Sequence, residues 1–154
     1  MKLREAEERD FDFICDASKE FMIFGPYDEI IPSWFRDPWI KCLVLEEESE
    51  LLGFIMLGPM FLPLWQRTLD VTAIYVKPTL RKRGLGLFLV KEAEVIARKK
   101  GYRYLRAHVG QENKPAFELF KKAGFSIKKK IENYYPSGLT AIEMLKELRG
   151  RKEQ

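Results

Sequence analysis

The apolar positions along residues 71–97 change period once, and the change marks the junction around which the chain is organised. Val71-Thr72-Ala73-Ile74-Tyr75-Val76 is a run of mostly β-branched and aromatic residues, closed by Pro78. Such a run predicts a strand, and its apolar continuity predicts burial on both faces. Basic residues and two glycines follow at 81–86. Apolar residues then recur at Leu85, Phe88, Leu89, Ala93, Ile96 and Ala97, with the roughly 3.6-residue period of an amphipathic helix. The pattern predicts a strand, a Gly-containing turn and a helix, in that order.

The same reading covers the rest of the chain. Residues 2–6 predict a short strand. Asp10 caps a helix running to about Met22, with Phe11, Ile14, Cys15, Ser18 and Phe21 on one face, and Gly25-Pro26 ends it. Residues 27–40 carry Ile30, Ile31, Trp34, Phe35, Trp39 and Ile40, but Pro32 and Pro38 break any long helix there. Lys41–Glu47 and Leu51–Leu62 read as a hairpin about Glu48-Ser49-Glu50, with Gly53 a candidate bulge and Pro59 and Pro63 disturbing its far end. The central strand starts near Thr68, and the helix after it runs to Lys100 and is capped by Gly101. Tyr102–Val109 is the next strand. Asn113 caps a helix with Pro115 in its first turn and Ala116, Leu119, Phe120 and Ala123 facing inward, and Gly124 stops it. Residues 125–134 and 139–147 close the chain as two strands about Pro136-Ser137-Gly138. This order predicts an α+β fold with a mixed sheet. No repeat or linker interrupts it, so residues 1–154 read as one domain.

Composition narrows the class. The chain has 154 residues, 46% hydrophobic and 32% charged, as in soluble globular proteins. No apolar run reaches the ~18 residues that span a bilayer, and Met1-Lys2-Leu3-Arg4-Glu5 does not open a signal peptide. A cytoplasmic protein with no membrane association is expected. Cys15 and Cys42 have no metal-ligand spacing and read as reduced core residues, so no metal site is expected. The net charge of +4 suits a polyanionic ligand without requiring nucleic acid, for which no recognition motif is present. Lys and Glu are abundant while Asn and Gln total five, a balance that predicts a heat-stable source.

The strand–turn–helix junction is suited to bind an anion. The first amides of a helix lack intrahelical partners, and the helix dipole makes that end partly positive. Gly84 and Gly86 carry no side chains to hold a phosphate away, and Arg81, Lys82 and Arg83 add charge. A pyrophosphate is the expected guest. The stretch is neither a Walker P-loop nor the three-glycine dinucleotide fingerprint.

Arg81-x-x-Gly84-x-Gly86 directly after a Pro-terminated strand resembles the acetyl-CoA-binding motif of the GCN5-related N-acetyltransferases (GNAT). Asn113-x-x-Ala116-x-x-x-Phe120-x-x-x-Gly124-Phe125 resembles that family's later motif, in the right order and at about the usual separation. The likeness covers roughly residues 40–147. It implies a mixed sheet of about seven strands with flanking helices, whose central strands at 71–76 and 104–109 splay to admit the pantetheine arm of acetyl-CoA. It implies that the backbone of Ile74 and Val76 holds that arm, and that an amide near Ile74 polarises the thioester carbonyl. It further implies that Arg81, Lys82, Arg83, Gly84, Leu85, Gly86 and Leu87 take the pyrophosphate, with Asn113 and the Phe120 position beside the cofactor. Asn113 reads equally as a plain N-cap.

The catalytic candidates also follow from the resemblance. A protonated amine must lose a proton before it can attack. His108, the only histidine, stands where some N-terminal acetyltransferases carry a glutamate base, and Asp70 stands near a glutamate base of histone-type members. The family's usual tyrosine acid is replaced by Phe120, and Tyr134 or Tyr135 is a candidate substitute. Asn133-Tyr134-Tyr135-Pro136-Ser137-Gly138 with Ala141-Ile142-Glu143-Met144 is similar to the tail of ribosomal-protein and archaeal N-terminal acetyltransferases. Plain readings stand beside these: His108 as a strand residue, Asp70 as a turn residue, the tyrosine pair as hairpin packing. Lys128-Lys129-Lys130 reads as a solvated strand, with neighbours on opposite faces. The Trp34, Phe35, Trp39 group and the Phe61, Pro63, Trp65 group read as core before they read as acceptor walls. The expected activity is acetyl transfer from acetyl-CoA to a primary amine, either a peptide N-terminus or a small amine or antibiotic. A cofactor-binding module without turnover is the rival, and homodimerisation is left open.

Overall fold

The computed structural model describes residues 1–60 and 67–148. The strands are β1 (Lys2–Glu5), β2 (Lys41–Glu47), β3 (Glu50–Gly58), β4 (Thr68–Val76), β5 (Tyr104–Gly110), β6 (Ser126–Ile131) and β7 (Ala141–Glu147). They form one mixed sheet in the order β1-β2-β3-β4-β5-β7-β6. Only β4 and β5 are parallel. Helices α1 (Phe11–Ser18) and α2 (Tyr27–Phe35) pack on one face through Ile14, Ala17 and Ile31 against Val44, Phe54 and Met56. Helices α3 (Leu85–Lys99) and α4 (Lys114–Lys122) cover the other, where Leu89, Ala93, Ala97 and Phe120 meet Leu43, Ile55, Leu69 and Leu105. The α+β mixed sheet expected from the element order is present.

The irregularity that matters lies in β4. Leu69 and Val71 belong to the α3/α4 side, whereas Ala73 belongs to the α1/α2 side. The alternation slips at Thr72, where β4 carries one more residue than the facing stretch of β3 between Met56 and Leu57. A bulge of this kind bends its strand and increases local twist. Beyond it β4 leaves its parallel neighbour: the two strands pair only over Thr68–Val71 and Tyr104–Ala107. Burial of β4 therefore alternates, with Asp70, Thr72 and Ile74 partly open, and the expectation of a strand buried on both faces fails because the fork opens beside it.

Other expectations need correction. The first helix does not run to Met22; α1 ends at Ser18 and the chain tightens into a 3-10 segment, Lys19–Phe24. Asp10 does not cap α1 with its side chain. It is buried, accepts from the Glu7 amide at 2.7 Å and pairs with both terminal nitrogens of Arg4. Residues 27–40 hold no long helix, as expected, but Pro32 lies inside the short, nine-residue α2. A proline there removes one amide donor, and a short helix packed through Ile31 tolerates the loss. The extra residue in the β2–β3 hairpin is Leu52, adjacent to Gly53, and the turn itself is Glu48-Ser49, both with positive φ. The three lysines at 128–130 lie on the edge strand β6, exposed as expected, with the register shift between Ile127 and Lys129. Trp39 is exposed, while Trp34 and Phe35 pack partly buried on the α1/α2 core. The expectations for Phe61, Pro63 and Trp65 lie outside the described residues.

Candidate active site

Past Val71 and Ala107 the two central strands enclose a cleft of about 230 Å³, lined on the strands by Asp70, Thr72, Ile74, His108 and Gly110. Backbone direction on β4 follows from one bond: the Lys77 amide donates to Leu52 O at 2.9 Å, toward β3. Because successive residues of a strand turn their polar groups to opposite sides, Ile74 and Val76 face the gap. These are the two residues whose backbone the family resemblance assigns to the pantetheine arm. The Thr72 hydroxyl oxygen, at the bulge, is buried without a hydrogen-bond partner among the described residues. A buried hydroxyl left unpaired is unfavourable, and it lies where a guest in the cleft would meet it.

Below the fork the chain turns through Lys82 and Gly84, at φ +67° and +86°, into α3. Among the described residues no side chain caps this helix, and a Cβ on Gly84 would meet nothing within 4 Å. The first amides of α3 are thus open to an anion. Gly86 has a different reason for being bare, because its Cβ would approach Leu119 of α4 at 3.2 Å. Arg81, though exposed, is committed to neighbours: it donates to Val76 O at 2.7 Å and to Glu20 at 2.6 Å, and its guanidinium lies over the Tyr75 ring. It fastens the end of β4 to the 3-10 segment. Lys82 and Arg83 are exposed charges of the same loop.

On the α1/α2 side of the fork six ionisable groups meet, two of them tyrosines. Asp70 takes two hydrogen bonds from Arg106, at 2.7 and 3.0 Å. His108, two residues along β5, points Nε2 at Glu143 of β7 across 3.0 Å. Tyr134 stacks on the imidazole with ring centres 4.6 Å apart. Burial, reinforced by the Asp70 carboxylate, pushes the Tyr134 phenol above its ordinary range, so it keeps its proton at neutral pH. Tyr135 is pushed higher still by burial and donates to the His108 carbonyl at 3.3 Å. The hairpin carrying both tyrosines is fastened to the 3-10 segment: Ser137 N donates to Phe24 O, and the Phe24 and Tyr135 rings lie 4.5 Å apart.

Asn113 acts as an N-cap, accepting from the Ala116 amide at 3.3 Å, and also lines the cleft. Phe120 is buried edge-on against Phe125 and forms part of the cleft floor, with no proton to give. Tyr27, Ile31 and Trp34 of α2 close the far wall. A second, open groove of about 420 Å³ adjoins through Phe21, Phe24, Gly110 and Asn113, and reaches Ile23, Glu112 and Leu139. The sequence reading did not single out Glu143, Arg106 or Thr72 as site residues. Glu143 had a signal: a carboxylate flanked by Ile142 and Met144, in a chain with one histidine to pair with.

The profile of the acetyltransferase (GNAT) family matches residues 3–125. The chain belongs to that family. A spermidine N(1)-acetyltransferase of Thermoplasma acidophilum is 26% identical over 148 residues, covering 82% of this chain and 89% of its own length. A Bacillus subtilis relative carried under the provisional name phosphinothricin acetyltransferase is 39% identical over 138 residues, covering 82% of this chain and 84% of its own. A GNAT acetyltransferase from Elizabethkingia anophelis, solved with acetyl-CoA bound, superposes with a TM-score of 0.77 at 20% identity. It covers 96% of this chain and 97% of that one. The protein is thus an acetyl-CoA-dependent GNAT acetyltransferase. The two relatives are named for different amines, so kinship leaves the acceptor undetermined.

Proposed function

We propose that this GNAT enzyme acetylates the amino terminus of a peptide or protein. The observation that carries the reading is the continuity of the cleft at the fork with the open groove beside it, through shared walls at Phe21, Phe24, Gly110 and Asn113. A chain whose first amine reached His108 would have room to leave along Ile23 and Leu139 to the surface. The similarity of residues 133–144 to the tail of N-terminal acetyltransferases supports the same acceptor.

In this reading acetyl-CoA supplies an activated acyl group, and the protein orients it and moves protons. The amides of Leu85, Gly86 and Leu87 with Lys82 and Arg83 hold the pyrophosphate, and the gap-facing backbone of Ile74 and Val76 holds the arm. Negative charge that develops on the thioester oxygen meets an amide near Ile74, where a fixed donor is worth about 3 kcal/mol. An α-amine has a pKa of about 8 and is mostly protonated at neutral pH. His108 takes that proton, directly or through water, and the freed lone pair attacks the carbonyl carbon. The carbon–sulfur bond breaks, and Tyr134 supplies a proton to the departing sulfur in place of the family's tyrosine. Asp70 is already committed to Arg106 and is the weaker base.

Release of free coenzyme A thiol tests the acceptor, using one amino acid offered as its amide, a dipeptide and a tetrapeptide, with spermidine and an aminoglycoside as rivals. KM is expected to fall as the peptide lengthens. Equal or higher kcat/KM with either rival amine would replace the peptide by a small molecule.

A further inference from the structure

Glu143 is one of only three polar or charged side chains buried among the described residues, and it is 8% exposed. It stands directly opposite His108 in the β5–β7 ladder. Burying a carboxylate is unfavourable unless it finds a partner, and the partner here is Nε2 of His108 at 3.0 Å. Packing alone does not call for an acid between Ile142 and Met144, because an aliphatic residue would fill the same strand position without desolvating a charge.

We propose that Glu143 is a positioning residue for His108. The inference rests on the reading of His108 as the proton acceptor. An ionised carboxylate only accepts hydrogen bonds, so it fixes the imidazole proton on Nε2 and leaves Nδ1 as the ring's lone pair. When the acceptor ammonium loses its proton, one N–H bond breaks and one forms at Nδ1; the imidazolium then passes the proton to water. Glu143 holds that cation while it lasts.

The surroundings agree on charge. Arg106 on β5 is neutralised by Asp70 on β4. Tyr134 and Tyr135 approach from the hairpin, and Tyr27 from α2 lies 6.4 Å from Tyr135, all three phenols held in their neutral forms by burial. Lys129 on β6 stands opposite Glu143 in the ladder but is exposed, where water screens its charge. Among the groups turned into the cleft, Glu143 is thus the carboxylate left to balance a proton taken up by the imidazole.

His108 is the only histidine in the chain, so its ring nitrogens are read without ambiguity by ¹⁵N spectroscopy of the labelled protein. In the intact enzyme the ring is expected to show a protonated Nε2 and a bare Nδ1. In Glu143→Gln the ring is expected to lose that single tautomer, since a neutral amide oxygen holds the Nε2 proton less firmly than a carboxylate. kcat falls about tenfold or more with unchanged acetyl-CoA affinity. Glu143→Leu, which suits the apolar strand, is the second variant and is expected to lose the tautomer preference as well. An unchanged tautomer in both variants, or a wild-type ring protonated at Nδ1, overturns the proposal. His108→Gln separates the two readings: an acid limb that survives it removes His108 as proton acceptor, whereas the tautomer measurement tests Glu143 by itself.

Discussion

Asp70 and Arg106 stand opposite each other on β4 and β5, one rung before the strands part, and share two hydrogen bonds of 2.7 and 3.0 Å. The pair closes the base of the fork. Its cation is held charged by the carboxylate, and both side chains are only partly open to water. Arg106→Met is expected to lower stability by about 1–3 kcal/mol, because it leaves a carboxylate unpaired beside the cleft. Urea unfolding measures it.

The same pair decides between two candidate bases. Asp70→Asn keeps an acceptor for Arg106 and removes the charge, so it is expected to leave the acid limb of the rate profile in place. A loss of about a hundredfold in kcat with the fold intact would move the proton-accepting role to Asp70.

The two loop glycines differ in kind. Gly84 is at φ +86°, and among the described residues nothing lies within 4 Å of where its Cβ would be, so Gly84→Ala strains the backbone, by about 1 kcal/mol. Its second effect is expected at the anion site, as a weaker Kd for coenzyme A by calorimetry. Gly86→Ala puts a methyl 3.2 Å from Leu119 and is expected to act on stability through the α3–α4 contact. Adding Leu119→Ala to it should then cost less than the two single changes together, a coupling that a double-mutant cycle reads.

Much of this fold was readable because its elements are locally consistent. The amphipathic period of α3, the Asn113 cap with Pro115, and the glycines at 101 and 124 with positive φ each state their element without help from afar. The bulge at Thr72 was not readable, because it is a mismatch between two strands and has no signature in either alone. From it followed the misjudged burial of β4. Asp10 looked like a helix cap because its short carboxylate suits one; its real partner, Arg4, comes from a neighbouring strand and binds it more strongly than an α1 amide would. At the site, His108 was visible as a lone histidine, but the commitment of Arg81 to Val76 and Glu20 depends on where the 3-10 segment docks.

Acid should expose what Asp10 and the partly buried Glu94 contribute. Burial opposes the charged form of Asp10, but Arg4 and the Glu7 amide outweigh it and hold the group below its ordinary 3.8. Glu94 is likewise opposed by burial and held below 4.5 by Lys146 and Arg98. Both bind protons less tightly folded than unfolded, so their stabilisation is complete above those ordinary values and drains away as pH falls through the lower folded ones. The urea midpoint is expected to fall as pH drops below about 4.5, and to fall less steeply in Asp10→Asn, which starts from a lower plateau.

Thr72 offers a test in which stability and activity should part. Its hydroxyl oxygen is buried at the bulge with no partner among the described residues, and it borders the cleft. Thr72→Val keeps the β-branched shape and removes the unpaired hydroxyl, so the variant is expected to unfold about 1 kcal/mol later in urea. If the hydroxyl stands idle in the working enzyme, kcat/KM is unchanged. If it meets the thioester or the incoming amine, kcat/KM falls while stability rises, because the group is then unsatisfied only until the substrates arrive. The second result is the expected one, since the neighbours Val71, Ala73 and Ile74 are apolar and a valine at 72 would keep the shape.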